Sequence, residues 1–273
     1  MPKLTTPDQV NLNYTDIGSG RPIVMIHGWP LSGAAFADNA TVFAAAGYRV
    51  ITYDRRGFGQ SGKPRDGYDY DTLAADLDAL LTGLDLHDVV LLGFSMGGGE
   101  VARYLATRGS ERVGAAILSG SICPALCITK DNPDGAMPRE GFQELADACA
   151  ADHAGFVDQF CGWFYSNEQG LTVPEEVRQQ AVEIARQSAP HAAVATILTW
   201  TEDLREDCRR IDVPLLVIHG DGDQNVPLAK SSARMPEYAQ QAQLVVIEGG
   251  PHGINVSHAD QWNAAILSFL AGS

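Results

Sequence analysis

The 273-residue chain is short of basic residues: 19 Lys and Arg stand against 34 Asp and Glu, for a formal charge of −15. The acids are scattered along the chain. A surface of that sign repels nucleic acid and anionic membranes, so neither is expected as a partner. No apolar run approaches the ~20 residues that a bilayer-spanning helix needs. The opening MPKLTTPDQVNLNY has no apolar core of the kind a secretory signal carries. There is no CxxC pair and no zinc-ligand spacing. The five cysteines (Cys123, Cys127, Cys149, Cys161, Cys208) are odd in number, which fits reduced thiols in the cytoplasm, acting as small buried hydrophobes. HExxH, clustered His/Asp and GK[ST] are all missing, so no metal site and no nucleotide-phosphate loop is expected.

What is present is a rhythm of short apolar strands separated by helical patterns. PIVMIHG (22–28), YRVITYD (48–54), DVVLLGF (88–94) and VGAAILSG (113–120) read as strands, and DTLAADLDALLTGL (71–84) as a helix. Unbroken apolar strands joined by helices imply a mostly parallel sheet covered on both faces. From about 121 to 204 the alternation stops and helical patterns dominate, as in EGFQELADACAADHAGFVDQFCGWFY. It resumes with VPLLVIHGDGD and QLVVIEGGPHG, and ADQWNAAILSFL closes the chain as a helix. The expected organisation is an α/β core over 1–120 and 205–273, interrupted by a helical cap over 121–204.

The chemistry concentrates in DVVLLGFSMGGGEVARYL (88–105). Gly93-Phe94-Ser95-Met96-Gly97 is a G-x-S-x-G motif between a strand and a helix, the context in which a strained turn lifts a serine hydroxyl above the sheet. Serine is a weak nucleophile at neutral pH and needs a base, and the base needs an orienting carboxylate. His252, in GGPHG after the last strand, is the candidate base. Asp223, in HGDGDQNVP after the preceding strand, is the candidate acid, because a turn starts there and holds it at the loop tip. Asp221, nearer the strand, is read as a cap for backbone N–H groups. His27 is read as a loop organiser, and His87, His153, His191 and His258 as surface or cap residues. The oxyanion donors expected are the N–H of Met96, directly after the nucleophile, and that of Trp29 in His27-Gly28-Trp29-Pro30, since proline has none. DRRGFG (54–59) is read as a loop bracing the site.

HGWPLSG, YDRRGFGQS, GFSMGGGEVARYL, HGDGDQNVP and GGPHG together resemble the α/β-hydrolase superfamily, and within it the cofactor-free haloperoxidase (perhydrolase), arylesterase and γ-lactamase group. The resemblance spans nearly the whole core. It implies an α/β-hydrolase fold, a Ser95–Asp223–His252 triad, and an oxyanion hole from Trp29 and Met96. It further implies a serine hydrolase of small esters or lactones, with hydrogen peroxide able to replace water and yield peracids. No cofactor or metal is implied. The partners implied are a small-molecule substrate and other copies of the chain, as a trimer or a multiple of three. Phe94, Ile122, Phe160, Trp163 and Trp200 are expected to line the substrate pocket, with Phe156, Phe164 and Tyr165 as further aromatics of the cap. Two rivals remain on sequence alone. One is a C–C bond hydrolase, lyase or cofactor-free oxygenase using the same triad; the other is a catalytically slow ligand receptor.

Overall fold

Strands that read as unbroken apolar runs lie side by side at the centre of the computed structural model, which describes residues 2–272. Met1 and Ser273, the ends of the expected core, lie outside the described residues. The central sheet holds β1 (Lys3–Thr5), β2 (Asn11–Gly18), β3 (Pro22–Ile26), β4 (Arg49–Tyr53), β5 (Val89–Phe94), β6 (Val113–Ser119), β11 (Leu215–Gly220) and β12 (Ala242–Ile247). The other four strands are two-residue pieces between β6 and β11: β7 (Cys127–Ile128), β8 (Met137–Pro138), β9 (Ser166–Asn167) and β10 (Gly170–Leu171). The order across the main sheet is β1-β2-β4-β3-β5-β6-β11-β12. From β4 to β12 all pairings are parallel; β1 and β2 run antiparallel at one edge.

The parallel strands β5 and β11 are buried along their whole length, because helices cover both faces. On one face α1 (Ala37–Ala45) packs against α10 (Ala259–Leu270). On the other α3 (Met96–Arg108) packs against α2 (Tyr70–Gly83) and α8 (Arg205–Arg209). Helix α2 starts where Asp69 accepts the Thr72 N–H, satisfying a donor that the first turn leaves free. The expected helix over 71–84 therefore begins one residue earlier.

Between β6 and β11 the chain leaves the sheet and returns to the neighbouring position, since Ala116 pairs with Leu215. The excursion carries α4 (Arg139–Ala151), α5 (His153–Phe164), α6 (Glu175–Ala185) and α7 (Pro190–Thr199), packed as α4 on α5 and α7, and α5 on α6. It is tied down at the strand ends by Gly253 N–H to Phe164 O (2.7 Å), Trp29 Nε1–H to Ala193 O (3.0 Å) and Ala189 N–H to Gly57 O (2.8 Å). These bonds place the helices over the carboxyl ends of β3, β4 and β12. The last described one-turn helix, α9 (Ile254–Ser257), follows β12.

Candidate active site

The serine turn is built by close approach of backbone to backbone. Ser95 has φ 54° and ψ −119°, a conformation L-residues rarely adopt, at the N-cap of α3. A Cβ on Gly93 would meet the Gly97 carbonyl oxygen at 2.4 Å, and one on Gly97 would meet that of Ile26 at 2.4 Å. Only glycine at both positions lets β5, α3 and β3 come this near. Ser95 itself is held by its N–H to Ser119 O at 2.8 Å.

Three loops converge on its hydroxyl. His252 Nε2 lies 2.9 Å from Ser95 Oγ, and His252 Nδ1 lies 2.6 Å from Asp223 Oδ2. The carboxylate can only accept, so the proton of the neutral imidazole sits on Nδ1, leaving the Nε2 lone pair for the serine hydroxyl. Asp223 Oδ1 accepts from the N–H groups of Asn225 (2.9 Å) and Val226 (2.8 Å). Burial by itself would raise the Asp223 carboxyl. The attraction of His252 and the N–H groups of His219 and His252 outweigh it and hold the carboxyl well below the ordinary carboxylate range. Phe94 and Phe164 pack edge-on against the His252 ring, with centroids 5.4 and 4.9 Å away, fixing its plane. Asp221 sits apart and accepts the Gly249 N–H at 2.6 Å.

The loop after β3 runs beside the serine: a Cβ on Gly28 would touch Ser95 Cβ at 3.0 Å. His27 Nε2 accepts the Arg55 N–H (3.0 Å), so Nδ1 donates to Gly28 O (2.8 Å). Burial, reinforced by the Arg55 charge, keeps His27 neutral far below the usual imidazole range. Arg55 Nη2 donates to the His27 carbonyl (2.8 Å), and its Nε to Glu100 on α3 (2.9 Å). One buried guanidinium thus ties the β3 loop to the helix that follows Ser95. Asp54 accepts from the Gly33 and Gln60 N–H groups at 2.9 and 2.8 Å, so the DRRGFG segment braces the same loop. Among the described residues no hydrogen bond takes up the N–H of Trp29 or of Met96.

A cavity of about 300 Å³ opens on Ser95 and His252. Ile122, Phe160, Trp163 and Trp200 line it, and so does Phe156. Phe94 does not. It is the last residue of β5, and its ring turns inward against Phe36, Phe164 and His252. Phe164 and Tyr165 likewise pack behind the imidazole and against Gly253, not in the cavity. Leu126, Met137, Phe142 and Leu145 line the cavity without having been anticipated. They come from the loop after β6, from β8 and from α4, where no periodic or motif signal distinguishes a lining residue from a core one. All five cysteines are free and buried. Burial pushes the thiols of Cys149 and Cys161 up to about 11 and about 12, which leaves them inert at neutral pH.

A parallel sheet of this order, with Ser, Asp and His on loops at its carboxyl end, defines an α/β hydrolase. The chain belongs to that family: the family model for the α/β-hydrolase fold matches residues 21–259. It is 40% identical to a non-heme chloroperoxidase of Kitasatospora aureofaciens over 99% of both chains. It is 34% identical to a bifunctional esterase/perhydrolase of Acinetobacter calcoaceticus over 98% of both. The crystal structure of a bromoperoxidase from Bacillus anthracis superposes with a TM-score of 0.96 at 38% identity, covering 99% of each chain.

Proposed function

We propose that the chain is a serine hydrolase of small carboxylic esters or lactones that works through an acyl-enzyme, with peroxide accepted in place of water. The observation that carries this reading is the continuous chain Ser95 Oγ–His252–Asp223 at 2.9 and 2.6 Å, opening on an apolar cavity.

Ser95 Oγ attacks the ester carbonyl while His252 Nε2 takes its proton. Asp223 holds the imidazole by Nδ1 and stabilises the imidazolium. The unpartnered N–H groups of Met96, at the positive end of α3, and of Trp29 receive the oxyanion. His252 then returns the proton to the departing alcohol, leaving Ser95 acylated. Water attacks the acyl carbon, with His252 again as base, and the acid leaves. Hydrogen peroxide attacking at the same step yields the peracid. The 121–204 segment acts as a cap whose aromatic and aliphatic side chains line the cavity. No Lys, Arg, Asp or Glu reaches it, so an uncharged, apolar acyl group fits best. The names of the relatives favour this chemistry over C–C bond cleavage or a receptor role. The reading extends to a cytoplasmic enzyme, supported by its free thiols, and to a homo-oligomer of three copies or a multiple.

The test is p-nitrophenyl acetate turnover, with and without hydrogen peroxide. Ser95→Ala is expected to lose at least ~10³-fold in kcat, and wild type with peroxide to form peracetic acid. Equal rates for the two proteins would remove Ser95 from the mechanism.

A further inference from the structure

Asp223 touches two imidazoles. His219 stands four residues earlier, at the end of β11, and is fully buried. Its Nε2 lies 2.8 Å from the carbonyl oxygen of Val226 and, beside that bond, 3.0 Å from Asp223 Oδ2. Its Nδ1 lies 2.7 Å from Ser232 Oγ. A carbonyl can only accept, so Nε2 carries the proton, and Nδ1 takes the hydroxyl hydrogen of Ser232. The tautomer is therefore the opposite of that of His252, and both N–H groups lie against the same carboxylate oxygen, Asp223 Oδ2. The Val226 carbonyl that His219 holds belongs to the turn whose N–H groups hold Asp223 Oδ1.

We propose that His219 is a positioning residue of the reaction: its Nε2–H closes the Asp223–Val226 turn and lies against Oδ2, so that the carboxylate divides its charge between two imidazoles. This rests on the Ser95–His252–Asp223 reading above. The neighbouring charged groups are engaged elsewhere. Asp221 is turned to the Gly249 N–H, and Arg234 to the Ala125 carbonyl and Asn132 Oδ1. Lys230, Glu237 and Glu248 form no ion pair with His219 or Asp223 among the described residues. A polar N–H beside Oδ2 offsets part of its negative charge. Removing it leaves a more negative carboxylate, which stabilises the His252 imidazolium more strongly. The acid limb of kcat/KM then moves to higher pH.

The experiment compares pH profiles of kcat/KM for p-nitrophenyl acetate in wild type, His219→Asn, His219→Gln and Ser95→Ala. Asparagine places an amide near Ser232 but nothing at the Nε2 position, whereas the glutamine amide reaches that position. The limb is expected to rise by about 0.5–1 pH unit in His219→Asn and to stay near wild type in His219→Gln. Limbs that stay in place in both variants, or move together in both, overturn the proposal, since a purely structural role moves stability and not the limb. Equal turnover in wild type and Ser95→Ala would instead overturn the underlying reading, and the role of His219 with it. A second measurement needs no variant to fold. In the imidazole ¹⁵N spectrum of the wild-type protein, His219 should be protonated at Nε2 and bare at Nδ1, and the reverse assignment overturns the proposal.

Discussion

A single methyl group at Gly97 should separate the two halves of the proposed oxyanion site. The residue lies in the first turn of α3, and an added Cβ would stand 2.4 Å from the Ile26 carbonyl oxygen at the end of β3. Carbon and oxygen atoms do not tolerate separations under 3.0 Å, so the end of β3 must move away from α3 by several tenths of an ångström. The Met96 N–H rides on α3, and the Trp29 N–H rides on the loop that leaves β3. Their spacing therefore opens with the methyl, while His252 and Asp223, carried by other loops, stay in place. Misplacing one oxyanion donor costs about 10²-fold in rate, or about 2.7 kcal/mol of transition-state stabilisation. Overpacking of this kind destabilises by about 1–3 kcal/mol, a fall of a few degrees in Tm, so the variant remains folded at 25 °C. The assay is steady-state hydrolysis of p-nitrophenyl acetate by Gly97→Ala, with circular dichroism melting alongside. A kcat/KM within about threefold of wild type, with unchanged Tm, would refute the claim that this backbone contact sets the site.

Two further predictions concern the buried groups that support the same loop. Arg55→Met leaves Glu100 charged in the interior with no cation beside it and only the Tyr53 hydroxyl as partner, where burial already raises its carboxyl, and should cost about 3–5 kcal/mol in urea unfolding. Arg55→Met/Glu100→Gln removes the stranded charge and should recover part of that loss; a double variant no more stable than the single one would contradict the account. His27 is held neutral in the fold, by burial first and Arg55 second, but protonates near 6.5 when unfolded. The unfolded state then binds the extra proton, so stability is full above that value and falls as pH drops below it. The slope approaches about 1.4 kcal/mol per pH unit for this one group. Thermal melts between pH 7 and 5 should show His27→Gln with a shallower decline than wild type, and parallel curves would exclude His27 as the source.

Several features were legible before any fold was known, because local chemistry demands particular residue types. The strands β3, β5, β6 and β11 read as continuous apolar runs since both of their faces are covered. Strands β1 and β2, the antiparallel pair at one side of the sheet, escaped notice: NLNYTDIG is polar and half exposed, with no second covered face to demand an apolar run. Asp221 could be set apart from Asp223 by its place nearer the strand, where it serves a backbone N–H. His219 could not be distinguished from His27, as both precede glycine at a strand end; only their neighbours in space differ. Phe94 was misjudged because adjacency to Ser95 in the chain says nothing about the direction of its ring. At the end of β5 that ring faces the interior behind His252.

Sequence alone determined the alternation of strands and helices, the turn that requires glycine on either side of Ser95, and the loops that bear Asp223 and His252. These rest on interactions within a few residues, or on the periodic burial of a single element. Tertiary structure alone decided that Oγ of Ser95 and Nε2 of His252 stand 2.9 Å apart across 157 residues of chain, that one guanidinium joins the β3 loop to α3, and which apolar side chains face the cavity instead of the core. The physical reason is that hydrophobicity drives a side chain out of water without specifying its neighbours. Those neighbours are chosen when sheet order and helix packing bring distant segments into one place.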